Sequence, residues 1–268
     1  MNELLYAFAD GTVIAKRNLI RIKRVPEVLV FVLISPIMFV LLFAYVFGSS
    51  IDIPGGSYRE FLIAGIFAQT VIFGSTFTGA GLAEDMQKGI INRFRSLPMS
   101  RTAVVAGRTA SDVVYNVLSL LIMTGTGLLV GWRIHNGLLN ALLAFGLLLL
   151  FAYAFSWIMA LVGLIVPSVD VVSNATFVVI FPVTFIANTF VPSNNLPTPL
   201  RVFAEWNPIS AVTQASRDLF GNIPPGTPEP TIWPLQHPVA YALIWVAVII
   251  AVFAPLSVLR YRRVTHSG

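Results

Sequence analysis

The chain has 268 residues and a formal net charge of +5, and 56% of it is apolar against only 11% charged. Soluble domains run near ~45–50% apolar and ~25% charged, so a mean hydropathy of +0.82 leaves more apolar surface than a water-soluble fold of this size can hide. This excludes an ordinary cytosolic enzyme and a disordered chain, and it indicates an all-α, polytopic membrane protein.

The first expected element is an amphipathic helix over 1–25. Met1, Leu4, Leu5, Phe8, Thr12, Ala15, Leu19 and Ile22 recur at spacings of three and four and form one stripe. Arg17, Arg21 and Arg24 project from the other side, while Lys16 and Lys23 flank the stripe, where their stems can snorkel. Such a helix is expected to lie in the cytoplasmic interface before Pro26 turns the chain into the bilayer. No small-residue cleavage site follows a short apolar core, so no cleavable leader is expected.

A spanning helix needs roughly 20 apolar residues. Six segments are expected to cross: 28–47, 61–82, 105–130, 138–166, 171–191 and 239–259. In the third, the continuous apolar run starts at about Val113. The period-2 alternation of a membrane β-barrel is absent. With six spans, thirteen of the seventeen basic residues fall on one side, which places both termini in the cytoplasm.

Between the second and third spans, 83–101 reads AEDMQKGIINRFRSLPMSR. Glu84 and Asp85 suit the start of a short helix, where the dipole favours negative charge. Lys88 and the arginines follow, and Ile90, Ile91, Phe94 and Leu97 offer apolar anchors. Pro98 interrupts the helix and Ser100 can cap the next one. This chemistry suits docking into a protein cleft better than catalysis. The outer segment 192–238 is rich in proline; within it Asn207 caps a helix, Pro208 takes its first turn and Gly221 closes it. Ile209, Val212, Ala215, Ser216 and Leu219 give that helix an apolar side.

Polar residues within the spans are few. Gln69, Asn116, Asn174 and Asn188 are uncharged, and Arg108 and Asp112 stand four apart, so they can pair on one helix face. Phe67, Phe73, Phe77 and Phe181 supply aromatic surface. Gln69, Phe73, Phe77, Asn116, Asn174, Phe181 and Asn188 are therefore the candidate substrate pathway, suited to a hydrophobic drug or lipid rather than a long hydrated sugar. No catalytic residues are assigned. The chain has no cysteine, and His135, His237 and His266 are scattered, so no metal site is expected. It contains no G-x-x-x-x-G-K-[ST] phosphate cradle, so ATP would have to act from outside it. A membrane hydrolase would need a nucleophile and base, and neither G-x-S-x-G nor a mid-span histidine occurs. A secondary transporter would show repeats and intramembrane ionisable groups, for which Asp112 is a thin basis.

The stretch Gly65–Val114, with its acidic–basic loop and RSLPMSR, resembles the core of ABC-2-type transporter permeases, in particular the daunorubicin-resistance membrane-subunit branch of actinobacteria. The amphipathic start, the segment FAEWNPISAVTQASRDL (Phe203–Leu219) and the six-span plan match as well, so the resemblance covers essentially the whole chain. It implies a permease in the plasma membrane that exports a hydrophobic drug or lipid. ATP and Mg would be bound by a separate nucleotide-binding subunit, with no cofactor in this chain and no nucleic-acid partner. It implies a pore shared with a second copy or a paralogous permease. It makes the loop between spans two and three the ATPase-coupling element, carried by Glu84, Asp85, Lys88, Gly89, Arg93 and Arg95 with Phe94 as anchor. It also implies a short outer-leaflet helical hairpin, with Asn207 and Pro208 at a possible gate. The alternative within the class is export of a polysaccharide or a lipid-linked glycan.

Overall fold

The computed structural model describes residues 20, 26–47, 57–90, 101–166, 168–223 and 229–266. Nearly all of the expected interfacial helix over 1–25, together with Arg93, Phe94 and Arg95, lies outside those residues. Among the described residues every regular element is helical. Helix α1 (Pro26–Leu42) runs into a π-helical turn, Phe43–Phe47. Helices α2 (Tyr58–Gly74) and α3 (Thr76–Gln87) follow, separated only by Ser75. Then come α4 (Arg101–Val130), α5 (Gly137–Ile165) and α6 (Val169–Ile186). The outer segment folds as α7 (Thr198–Trp206), α8 (Pro208–Phe220) and the single turn α9 (Trp233–Gln236), before the last long helix, α10 (Pro238–His266).

Among the described residues five helical segments are long and apolar enough to cross a membrane: Tyr58–Gln87, Val104–Val130, Gly137–Ile165, Val169–Ile186 and Pro238–Arg263. The expected first span is helical from Pro26 to Phe47, and Ile34–Val46 within it is an apolar helix. Successive long helices alternate in direction. One end of the bundle, called outer after the expected topology, gathers the start of α2, the α4–α5 turn, the end of α6 and the start of α10; the other, called inner, gathers the ends of α3, α5 and α10.

Helix α5 is the hub. It is apolar almost all round, as a helix buried among others must be, and it packs against α2, α3, α4, α8 and α10. It meets α3 where Gly79 and Gly163 face each other. A Cβ on Gly163 would overlap the Gly79 backbone, and one on Gly79 would reach within 2.7 Å of the Met159 carbonyl oxygen. At the outer end, Phe67, Trp132, Phe145 and Phe220 form an aromatic cluster with centroids 5.1–5.8 Å apart, mostly edge to face. The Trp132 indole N–H donates to Asn222 Oδ1 at 2.7 Å, so its one polar atom is satisfied inside the cluster. At the inner end Leu82, Val104, Val105, Trp157, Ala160, Leu164 and Tyr261 form a second core.

Three expected boundaries shift for tertiary reasons. Helix α6 ends at Ile186 rather than Val191 because its next backbone groups find other partners. The Asn188 N–H donates to Ser210 Oγ at 2.9 Å, and the Phe190 carbonyl accepts from Tyr58 at 3.2 Å. Helix α10 continues past Leu259 to His266, since Tyr261 is buried in the inner core and Arg260 Nε donates to the last-turn carbonyl of Leu164 at 3.3 Å. The segment expected to end at Leu82 runs on to Gln87. Arg108 and Asp112 bond α3 rather than one another: Arg108 Nη2 donates to the Phe77 carbonyl at 2.8 Å, and Asp112 accepts from the Thr78 hydroxyl.

Candidate functional site

Four of the seven residues singled out as a pathway come together. Gln69, Phe73, Phe77 and Phe181 line one cavity of about 290 Å³. Its walls come from α1 (Pro36, Phe39), α2 (Gln69, Phe73), α3 (Phe77), α4 (Tyr115) and α6 (Phe177, Phe181), with nothing from α5. Gln69, Phe73 and Phe77 follow at intervals of four, so one helical stripe presents them together. The stripe survives the interruption at Ser75 because that residue keeps right-handed helical angles, φ −66 and ψ −18. The Ser75 hydroxyl donates within hydrogen-bond range of two carbonyl oxygens, Val71 at 2.9 Å and Ala152 on α5 at 2.9 Å. Serine hydroxyls that bond back to the preceding turn loosen a helix locally.

The cavity is aromatic with a small polar content. Phe77 and Tyr115 meet edge to face at 5.1 Å, and Phe177 stacks on Phe181 at 5.1 Å. Gln69 is buried and its Oε1 has no partner among the described residues. Asn116 is not in the lining; its fully buried amide packs against Gly74 of the wall, where a Cβ would strike Oδ1. Neither amide atom of Asn116 has a hydrogen-bond partner among the described residues. Asn174 is exposed on α6, one turn from Phe177, and Asn188 lies beyond the end of α6 in a different cavity. Phe39, Tyr115 and Phe177 were not singled out from the sequence. Phe177 was within reach, since it precedes Phe181 by one helical turn; Phe39 and Tyr115 reach the cavity only through tertiary packing. The arrangement can hold an apolar, flat or chain-like molecule and offer it one or two hydrogen bonds.

At the inner end, Glu84 and Asp85 sit in the last turn of α3 and not at the start of a helix. The expectation that they meet a positive helix end is therefore corrected: the end they occupy is the negative one. Lys88 bonds Glu84 at 2.6 Å, in the favourable order of glutamate four residues before lysine. Asp85 is buried in that same turn. Gly89 has φ +63, a left-handed conformation that glycine adopts without strain, and it turns the chain sharply after α3.

The outer end carries what the sequence reading expected of it and one residue it passed over. Asn207 Oδ1 accepts from the Ile209 N–H at 2.9 Å, Pro208 occupies the first turn of α8, and Gly221 closes it at φ +75. Helix α8 packs on α2, α5 and α10, entering the bundle from its outer end. It carries Arg217, 1% exposed, whose Nε donates to the Phe61 carbonyl at 2.9 Å and whose Nη2 donates to the Thr189 carbonyl at 3.0 Å. The guanidinium also lies 3.5 Å from the Phe61 ring centroid. Burial lowers the Arg217 pKa to about 9, against the pull of Asp218 and Tyr58. Burial raises that of Asp218 to about 6, opposed by its hydrogen bond from Gln214 and by Arg217. The sequence placed Arg217 as one of four basic residues on the poorer side; only the fold shows that it is inside.

Comparison with known proteins adds independent information. The sequence pattern of the ABC-2 type transporter family matches residues 11–220. The chain is 32% identical over 246 residues to the daunorubicin resistance ABC transporter permease protein DrrB1 of Streptomyces coeruleorubidus, covering 92% of this chain and 83% of that one. It is 25% identical over 237 residues to the probable doxorubicin resistance ABC transporter permease protein DrrC of Mycobacterium tuberculosis, covering 87% and 82%. It is 24% identical over 200 residues to the inner membrane transport permease YadH of Escherichia coli, covering 70% and 75%.

Proposed function

This chain belongs to the ABC-2 type transporter family, and from that premise we propose that it is the permease subunit of an ATP-driven exporter of hydrophobic drugs or lipids. It is a multi-pass membrane protein. The observation that carries the choice of substrate class is the cavity of about 290 Å³ lined by Phe39, Phe73, Phe77, Tyr115, Phe177 and Phe181. Aromatic walls gain from desolvating an apolar solute, and Gln69 can orient one polar group of it. A polysaccharide chain would need rows of donors and acceptors that this lining lacks. The drug-resistance relatives support the same side of the choice.

The proposal includes a cytoplasmic ATPase subunit that binds ATP and Mg, and a second permease, identical or paralogous. Helix α6 supports the latter: Phe177, Val178, Val179 and Phe185 are exposed and apolar, a face suited to lipid or to another permease. It also includes six crossings, with Pro26–Phe47 as the first and both termini cytoplasmic, because the basic residues then collect on the inner side. The coupling surface would be the turn after α3, with Glu84, Lys88 and Gly89 in its described part and Arg93, Phe94 and Arg95 beyond it. Asn207 and Pro208 would hold the outer gate at the head of α8. Closure of the ATPase pair would drive transport only to the extent that these surfaces make different contacts in the two states.

The test is efflux. Cells expressing the chain with a cognate ABC-type ATPase subunit should expel doxorubicin faster than cells expressing either alone. Phe181→Ala should slow efflux several-fold at unchanged membrane level, while Asn174→Ala, on the exposed face, should not. Wild-type efflux in Phe181→Ala and in Gln69→Leu would remove the cavity from the pathway.

A further inference from the structure

Rings roof the aromatic cavity on its outer side. Phe39 on α1 and Phe181 on α6 stand in its wall. One turn further out, Phe43 stacks on Phe39 at 5.5 Å between centroids, and Phe185 stacks on Phe181 at 5.4 Å. The two columns meet at Phe190, which lies 4.7 Å from Phe43 and 5.0 Å from Phe185. The five rings form an arch from α1 to α6, with neighbouring planes inclined by 14–36°. Helix α1 packs chiefly on α4, and α6 chiefly on α3, so it is rings that bridge the gap between the two. At the crown of the arch Phe190 is 1% exposed and Phe43 8%.

Phe190 is the ring of the arch that stands outside a helix. Helix α6 ends at Ile186, and Ala187 leaves it with ψ 163. The turn that follows is fastened to other elements. The Asn188 N–H donates to Ser210 on α8 at 2.9 Å, and the Thr189 carbonyl accepts from Arg217 on α8 at 3.0 Å. The Phe190 carbonyl accepts from Tyr58 on α2 at 3.2 Å. Two of these three ties lead to α8, the helix that enters the bundle from its outer end. A displacement of α8 is therefore transmitted to Phe190 through the backbone just before it, whereas Phe43 moves with α1 and Phe185 with α6. Stacked phenyl rings give water and small ions no hydrogen bond, so the closed arch is a dry seal. Withdrawing the one ring that touches both columns breaks it.

We propose that Phe190 is the outer gate of the aromatic cavity, closed here against Phe43 and Phe185 and released by movement of α8. Its purpose rests on the export reading; its closure does not, and the test needs neither ATP nor a transported drug. Thr70 lines the cavity from α2, and the chain has no cysteine, so Thr70→Cys places a single thiol inside. Intact cells expressing the full chain are treated from outside with a small, membrane-impermeant cationic methanethiosulfonate, and the rate of thiol modification is followed. With the arch intact the thiol should react slowly. Adding Phe190→Ala should speed the reaction at least ~fivefold, because the seal loses the atoms that exclude water. Phe190→Leu, which refills most of the volume, should lie between the two. Val178→Ala, on the exposed face of α6 and outside the arch, should leave the rate unchanged. Because Phe190→Ala empties a buried position, Phe185→Ala is the second probe. Its ring is 42% exposed, so the fold tolerates its loss, and the reaction should still speed at least ~twofold. Membrane level and the labelling of Asn195→Cys on the surface report the fold of each variant. Fast modification of Thr70→Cys alone would overturn the gate, as would equal acceleration by Val178→Ala. So would an unchanged rate in Phe190→Ala, or in Phe185→Ala where Phe190→Ala does not reach the membrane. Any of these results leaves the permease reading standing, since that reading is tested by efflux and Phe181.

Discussion

Asn207 both starts a helix and ties it to its neighbour. Its Oδ1 caps α8 at the Ile209 N–H and its Nδ2 donates to the Val183 carbonyl on α6 at 3.0 Å. Asn207→Ala removes both bonds, and a lost cap plus a lost buried hydrogen bond costs on the order of 1–2 kcal/mol. Asn207→Ser should recover part of that, since it keeps the cap alone. Thermal unfolding of the three proteins should rank wild type, Ser, Ala. Asp218 offers a test by pH. Burial holds its carboxyl near a pKa of about 6, against ~3.9 in an unfolded chain. The folded chain therefore binds the extra proton, and the stability it brings is present at low pH and lost as pH rises through about 6. Asp218→Asn should stabilise the protein at pH 7.5 and make little difference at pH 4.5; equal effects at both values would contradict the assignment. The caps at Asn207, Pro208 and Gly221 were legible because their partners are neighbours in sequence. The Arg217 contact with Phe61 was not, since it joins residues 156 apart and nothing local marks it.

Among the elements, α3 changes what a coupling mutation tests. Glu84→Lys puts a positive charge at the negative end of a helix, which the dipole favours, and replaces the Lys88 ion pair with a repulsion of ~0.3–0.5 kcal/mol. The fold should tolerate it. If the turn after α3 is the coupling surface, ATPase co-purification should nonetheless fall, and Phe94→Ala should weaken it more than Arg101→Ala, as a desolvated aromatic anchor worth ~2 kcal/mol or more would. Wild-type co-purification in both Glu84→Lys and Phe94→Ala would place the coupling surface elsewhere. The crossing of α3 and α5 has its own test. Gly163→Val forces the helices apart at Gly79 and should cost ~1–3 kcal/mol or more. Gly146→Ala on the same helix meets open space and should be neutral or slightly stabilising; the readout is detergent-solubilised thermal unfolding. Hydropathy made the long helices readable, but their ends answer to distant partners. Val191 reads as membrane, while the Asn188 N–H and Phe190 carbonyl bond Ser210 and Tyr58.

At the scale of the molecule, the alternation of α2/α3, α4, α5, α6 and α10 predicts opposite sides for Asn195 and Gln87, both exposed. The native chain has no cysteine, so single-cysteine variants are clean. Asn195→Cys should label from outside intact cells and Gln87→Cys only after permeabilisation. The reverse pattern would invert the topology. The bundle's composition was legible, whereas its centre was not: the apolar run of α5 is no more telling than that of α10, and only packing makes one a hub and leaves much of the other exposed. Gln69, Phe73 and Phe77 converged because their spacing is local, Phe181 joined them only through the packing of α6, and Asn174 and Asn188 fell away because chemistry alone does not say which face of a helix turns inward.

The tether from the Ser75 hydroxyl to Ala152 has a mechanical consequence. It fastens the 30-residue rod Tyr58–Gln87 to α5 midway, and the outer arm is fastened again where Arg217 holds Phe61. The inner arm is held as well, by Gly79 against Gly163 on α5 and by Arg108 and Asp112 of α4 on Phe77 and Thr78. Force applied at Gln87 therefore cannot bend α3 alone: α3, α4 and α5 must yield together, and the aromatic wall at Phe77 and Tyr115 shifts with them as one piece.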